Sequence, residues 1–257
     1  MLILNSSVFL SLFRKKCKFA AFKIKSVNIR TTIISAILLL SVFHLPLRAQ
    51  EKESFAGISS GFAIPYGNFR ATNLDDGSFA LTGFAVNVEG AWFFMPKLGV
   101  GASAGFNMNP LWLGALEYEK VVNDPFLNDI SIRSEPFITL TAMAGAYTKL
   151  PVWRNFSFTG KLLGGLLYGR TPYQLNKPEY FLAGPPYYEI TPAQDWKFSW
   201  QAGAGIQWDV SPCVALLLEG VIMYDKLNFN FRTASGIRTD IHTIALINTS
   251  LGVRIKI

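Results

Sequence analysis

The feature that most constrains this chain is a two-residue alternation that recurs eight times. Segments 55–64, 79–94, 98–108, 137–149, 155–170, 195–210, 214–225 and 250–257 alternate apolar side chains with small or polar ones, 137–149 least cleanly and 79–94 with a break at Phe93. A period of two marks a strand with two unlike faces. Segment 195–210 is the clearest: Trp196, Phe198, Trp200, Ile206 and Trp208 alternate with Lys197, Ser199, Gln201, Gln207 and Asp209. The last segment sets Leu251, Val253, Ile255 and Ile257 against Ser250, Gly252, Arg254 and Lys256. The sequence stops on that strand, whereas the ends of soluble domains tend to fray.

The connections carry the topology. Residues 95–97, 150–154 and 211–213 are tight turns, while 65–78, 109–136, 171–194 and 226–240 are longer, and the two kinds alternate strictly. An even-stranded up-and-down barrel has this form, with short turns and both termini at one end. Counted from that end, Trp92, Phe94, Phe156, Phe158 and Trp208 lie low on the apolar face, and Phe62, Phe106, Tyr168, Trp196, Phe198 and Tyr224 lie high. Two aromatic girdles around an aliphatic band suit a bilayer. Eight strands enclose too little space for these rings, so the aromatic face is expected outward, in lipid. The expected fold class is all-β, an eight-stranded antiparallel up-and-down transmembrane β-barrel. Residues 112–121 read as a further extension of that barrel above the membrane.

Charge is distributed unevenly. The chain is +7 overall, but residues 1–50 hold eight Lys or Arg and no acid, leaving 16 basic against 17 acidic residues beyond them. The high pI thus belongs to the leader and argues for no nucleic-acid partner. Lys25 and Arg30 precede an apolar run that ends near Leu47, and Ala49 supplies a small residue for cleavage. That order predicts a secretory signal peptide at about 26–50, cut near Ala49 or Gln50. The run is short of the roughly 20 residues a spanning helix needs. The basic stretch 1–25 is explained if translation starts near Val27. The expected organisation is a 1–50 leader and a 51–257 barrel. Beyond the leader only Cys213 remains, so no internal disulfide is expected.

The final segment resembles the C-terminal signal of bacterial outer-membrane β-barrels, which runs polar–x–Gly–x–x–apolar–x–apolar. Ser250, Gly252, Ile255 and Ile257 fill those places. The usual last residue is aromatic, and Ile257 departs from that. From about residue 55 to 257 the chain is similar in pattern to small outer-membrane barrels of the OmpA/OmpX type, without a peptidoglycan-binding domain. The resemblance implies export to the outer membrane, outer-membrane lipid as the surroundings, and the barrel assembly machinery as the partner that reads the last strand.

Few residues suggest chemistry. By parity Glu89, Lys161, Glu219 and Arg254 face inward at similar height, and their formal charges cancel. They form either a salt-bridge network that rigidifies the barrel or the lining of a small polar pore. The single histidine beyond residue 50 is His242. Along its own strand Ser250 lies about 26 Å away, Ser235 is seven residues back in a loop, and no Gly-x-Ser-x-Gly motif exists. No catalytic residue, metal ligand or cofactor is assigned. Loop 171–194 is rich in Pro and Tyr, and Tyr180, Phe181, Tyr187 and Tyr188 are candidates for an extracellular partner surface, or for packing on the rim. The expected function is a non-enzymatic outer-membrane protein with an envelope-structural or partner-binding role through its long loops. The alternatives are a narrow channel or transporter for small solutes and a membrane-embedded lipid-modifying enzyme.

Overall fold

The computed structural model describes residues 54–182, 184–233 and 236–257, so the expected leader and signal peptide at 1–50 lie outside the described residues. The chain forms strands β1 (Phe55–Pro65), β2 (Gly83–Phe93), β3 (Leu98–Asn109), β4 (Leu127–Ser134), β5 (Phe137–Trp153), β6 (Phe156–Arg170), β7 (Gln174–Tyr180), β8 (Tyr188–Ile190), β9 (Gln194–Asp209), β10 (Val214–Thr233) and β11 (Gly236–Lys256). Among the described residues one α-helix, α1 (Leu113–Asn123), follows β3. Eight strands close into a barrel in the order β1-β11-β10-β9-β6-β5-β3-β2, and β2 returns to β1. Every pairing is antiparallel, and the last strand closes the ring against the first from Phe55↔Lys256 to Pro65↔Leu246.

The alternation decides which side faces out. Ile58, Phe62, Val88, Leu162, Leu218 and Leu251 stand exposed on the outer surface, while Ser59, Glu89, Ser103, Lys161, Gln207 and Arg254 are buried in the lumen. This is the reverse of a soluble barrel. The aromatics sit outward as the parity predicts. Phe156 stacks on Trp208 at 6.0 Å and Trp92 lies 6.4 Å from Phe94 near the short turns; Tyr168 meets Trp196 at 4.6 Å toward the long loops, with exposed Tyr224 two strands away.

The long-loop end departs from expectation in four ways. First, residues 226–240 are not a loop: β10 and β11 continue as a hairpin to Thr233↔Gly236. Leu227, Phe229, Ile244 and Leu246 point inward along it, at most 1% exposed. Second, residues 112–121 do not extend the barrel. Residues 113–121 belong to α1, with Trp112 just before it, and Leu116 is buried while Tyr118 and Val122 are exposed; a single apolar contact face at helical spacing outweighs a short alternating reading. Third, β4, β7 and β8 make a separate three-stranded sheet, with α1 beside it, that crowns the barrel. Leu116, Leu127, Ile130 and Ile132 form its apolar interior.

Fourth, β2 begins at Gly83 and not at Phe79. Residues 65–82 fold over the barrel mouth instead. Phe79 sits at φ 53°, an unusual conformation for a bulky residue, and its ring is buried. The turn is fixed from several sides: the Phe79 amide donates to Ala71 O, the Ala80 amide to Phe69 O and the Trp112 amide to the carbonyl of Phe79. Asn109 Nδ2 donates to Ala63 O and Leu81 O at 2.9 and 3.0 Å, tying the loop to β1 and β3. Phe69, wholly buried, packs edge-on against Phe137 at 5.3 Å.

Candidate functional site

The lumen has two storeys. Near the short turns, the strand registers bring the four inward charges to one level. Gly57 pairs with both Arg254 and Glu89, Lys161 pairs with Gly203, and Glu219 pairs with Gly205 and Ser250. The glycines make the room. A Cβ on Gly57 would come within 2.8 Å of Arg254 Cγ, and one on Gly203 within 2.9 Å of Lys161 Cε. Each long cationic chain therefore lies across a neighbouring strand where no side chain stands.

The four side chains are in contact. Lys161 Nζ bridges Glu89 Oε2, at 2.9 Å, and Glu219 Oε1. Arg254 donates from Nε and Nη2 to Glu89 Oε1 at 3.0 and 2.6 Å, and its Nη2 lies 3.5 Å from Glu219 Oε2. Residues not assigned from sequence complete the cluster. Gln207 Oε1 accepts from Arg254 Nη1 at 3.0 Å, Tyr147 OH donates to Glu89 Oε2 at 3.5 Å, and the guanidinium sits 4.0 Å over the Phe55 ring. Their inward parity marks Gln207 and Tyr147 in the sequence; that their side chains reach Arg254 and Glu89 across the lumen is not visible there. All four charged side chains are at most 4% exposed. Buried charges with partners on every side are tolerable, and a lone one is not.

Above the charges runs a polar rung in which Asn248 donates to Asn107 and Asn107 to Thr139, at 3.0 and 3.1 Å. Above that the interior turns apolar. Leu163, Leu167, Met223, Leu227 and Phe229 fill it, and Gly169 leaves the space that Leu227 and Phe229 occupy, since a Cβ there would stand 2.3 Å from Leu227 Cδ1. Below the charges, Phe55 packs on Tyr147 and Phe93 at 5.9 and 6.3 Å. The cavity beside them measures about 10 Å³, room for about one water molecule.

On the terminal strand, Ser250 faces the lumen and Gly252 lies close against β1, where an added Cβ would be 2.8 Å from Ser59 Cβ. Ile255 and Ile257 are exposed on the outer face, and the Ile257 amide donates to Ser54 O.

The crown gathers the aromatic residues of loop 171–194 unevenly. Phe181 and Tyr187 are exposed, but Tyr180 and Tyr188 are half-buried and pack against the crown's apolar core. The two alternatives for this set, a partner surface and packing on the rim, thus divide between its members. Folding of residues 174–180 and 188–190 into strands turns Tyr180 and Tyr188 inward. Phe126, Phe181 and Leu182 form an exposed apolar group, joined by the Phe181 amide donating to Phe126 O. Beside it Lys120 of α1 reaches across to the sheet, donating to Asn176 Oδ1 at 2.8 Å and to Tyr188 OH at 3.3 Å. Burial pushes its pKa down to about 8.

No protein-family model and no curated protein matches this chain. Among solved structures it is similar to neisserial surface protein A, at 12% identity over 79% of this chain and 97% of that one, with a TM-score of 0.43. It is similar also to the attachment invasion locus protein Ail of Yersinia pestis, at 16% identity over 81% and 100% and a TM-score of 0.42. The outer membrane protein OprG of Pseudomonas aeruginosa matches at 14% identity over 80% and 97%, with a TM-score of 0.45.

His242 has a serine partner that its own strand does not supply. Ser78 Oγ lies 3.1 Å from His242 Nδ1, and the imidazole meets the Phe229 ring edge-on at 5.7 Å. Ser78 is buried in the loop over the mouth, so the pair joins that loop to β11. A separation of 164 residues hides it from any motif search. Of the serines weighed from sequence, Ser250 points into the lumen and Ser235 lies outside the described residues. Among the described residues no three His, Cys, Asp or Glu side chains converge as metal ligands.

Proposed function

We propose that the protein is an integral outer-membrane barrel with a sealed, structural lumen, and that its crown meets a partner outside the cell. One observation carries the membrane part: the large apolar side chains form the exposed outer face, and the charges are shut inside. Water would have the opposite arrangement, whereas lipid accepts this one. Outer-membrane lipid and the assembly machinery are then its obligatory partners, and the leader is its export signal.

The lumen favours a structural role over conduction. Ser59, Glu89, Ser103, Thr139, Lys161, Gln207, Ser250 and Arg254 are each at most 8% exposed, and inward Asn87 and Asn248 are half-buried, whereas a water-filled path would wet its whole lining. The apolar storey and the loop 65–82 stand above them. For partner binding, the support is the crown. Phe126, Phe181, Leu182 and Tyr187 are 63%, 69%, 72% and 57% exposed there, on the side of the girdles that faces away from the short turns. Exposed apolar groups outside the membrane belt mark interaction surfaces. No chemical step is required of any residue in this reading.

The experiment is fractionation combined with surface labelling. The protein is expected in outer membranes, migrating faster on a gel when unboiled, with Lys177 of the crown labelled on intact cells by an impermeant amine reagent. Purified protein in planar bilayers is expected to give no steady conductance. Recovery from the soluble periplasm would refute the membrane reading, and steady single-channel currents would refute the sealed lumen.

A further inference from the structure

Two ladders of the barrel stop at one level. β9 and β10 pair only as far as Gln201↔Met223, and β1 and β11 only as far as Pro65↔Leu246. Met223 and Leu246 stand directly opposite each other. Beyond them β10 and β11 run on as a two-stranded hairpin to Thr233↔Gly236. β9 also continues, back to Gln194, but there it pairs with β6 alone. The wall is therefore split between residues 194–200 and 224–233.

Side chains bridge the split. The Asn228 amide donates to Asp195 Oδ2 at 2.8 Å, and Lys197 Nζ donates to Lys226 O at 2.8 Å and pairs with Asp225 at 2.9 Å. Asp195 Oδ1 and Asp225 Oδ1 also accept from the amides of Trp196 and Lys226. Three charged residues thus stand where ladder bonds would run, and their contacts can part without unfolding either strand. The outer rings of β9 lean the other way, over β6: a Cβ on Gly164 would meet Trp200 at 2.9 Å and Phe198 at 3.2 Å, and Trp196 lies 4.6 Å from Tyr168. Along the opposite edge of the hairpin the ties are the Tyr66 amide to Ala245 O and the Ser78–His242 contact at 3.1 Å. A two-stranded hairpin is marginally stable by itself, so its position depends on these ties and on its underside. There Leu227, Phe229 and Ile244 are buried, the first two against Gly169.

We propose that residues 224–233 and 236–245 form a lid, hinged at Met223 and Leu246 and latched to β9 by Asp195, Lys197 and Asp225. Opened, it uncovers an apolar floor that includes Leu163 and Leu167, while the charged storey stays shut beneath the polar rung. The lid thus moves without opening an ionic path through the lumen.

The test uses the full-length protein in lipid nanodiscs, with hydrogen exchange read residue by residue by NMR. Asn228 N and Lys226 O turn toward β9, so the amides of Leu227 and Phe229 turn toward β11. Lys197→Met removes the ion pair and the bond to Lys226 O. It is expected to speed exchange at Asn228 about tenfold and to leave Leu227 and Phe229 unchanged, because the hairpin swings intact. Thiol labelling gives a second reading in a Cys213→Ser background. Leu227→Cys, under the lid, is expected to react about tenfold faster once Lys197 is replaced. Leu217→Cys, inward on the same strand but below the hinge, is expected to stay unreactive. If Lys197→Met leaves either Asn228 exchange or Leu227→Cys labelling unmoved, the latch is overturned. Equal gains at the Leu227 and Phe229 amides would mean that the hairpin unfolds, and labelling of Leu217→Cys would mean that the whole barrel loosens; either result overturns the hinge.

Discussion

Removing Lys161 should expose how unequally the lumen charges depend on one another. Glu89 has two strong cationic partners, Lys161 at 2.9 Å and the two-pronged contact from Arg254 at 2.6 and 3.0 Å. Glu219 has only Lys161 close by, with Arg254 at 3.5 Å. Lys161→Met keeps most of the side-chain volume and deletes the charge, leaving the cluster at −1. Glu89 keeps Arg254, so Glu219 is the group left stranded. Breaking a buried pair from one side costs about 3–5 kcal/mol, a drop of roughly two to four decades in the folded-to-unfolded ratio. Glu219→Gln in the same chain restores neutrality and should recover most of that loss, whereas Glu89→Gln should recover less, because it discards the best-made contact. Urea unfolding in lipid vesicles, read by the gel shift of unboiled protein, gives all three values, with outward Val86→Ala as a near-neutral control. A Lys161→Met loss below about 1 kcal/mol, the level of an exposed pair, would refute the buried-network reasoning. Equal rescue by the two carboxylate changes would refute the asymmetry.

Three further outcomes are expected. Gly61→Ala should sharply reduce assembled barrel, since a Cβ there would lie 1.9 Å from Thr249 O on the β1–β11 seam; normal yield and urea midpoint would contradict that geometry. Ile257→Asp should lower insertion while Ile257→Phe preserves it, measured as heat-modifiable protein per cell, and unimpaired insertion after deletion of residues 251–257 would remove the assembly-signal assignment. The crown should become more stable as pH rises from about 8 toward 10.5, because Lys120 has a pKa near 8 folded and near 10.5 unfolded. In that window the unfolded chain binds more protons, so stability rises with pH. The cost of burying the charge is fully present below 8. Tyr188, its pKa raised by burial and by Tyr180 and Asp124, stays protonated through most of this window. Hydrogen exchange in α1 and β7, corrected for intrinsic rate, reads the effect, and falling protection over that range would contradict it.

The sequence by itself determined the barrel. A period of two fixes which face each residue takes, and counting from the tight turns fixes its height. Faces and heights together placed Glu89, Lys161, Glu219 and Arg254 at one level of the interior and the large aromatics outside. These are local properties of a strand and survive without knowledge of its neighbours. Only the tertiary structure decided which acid each base holds, because that depends on side-chain reach across the lumen. It decided too that residues 226–240 lengthen a hairpin, since the inward-facing Leu227 and Phe229 find their place across the lumen, in the space that Gly169 leaves. The Ser78–His242 contact and the Lys120–Asn176 pair likewise join segments far apart in sequence. The crown's helix and short strands are individually too weak to declare themselves. Their stability comes from packing on one another through Leu116, Ile130 and Ile132, a long-range effect that no single stretch of the sequence carries.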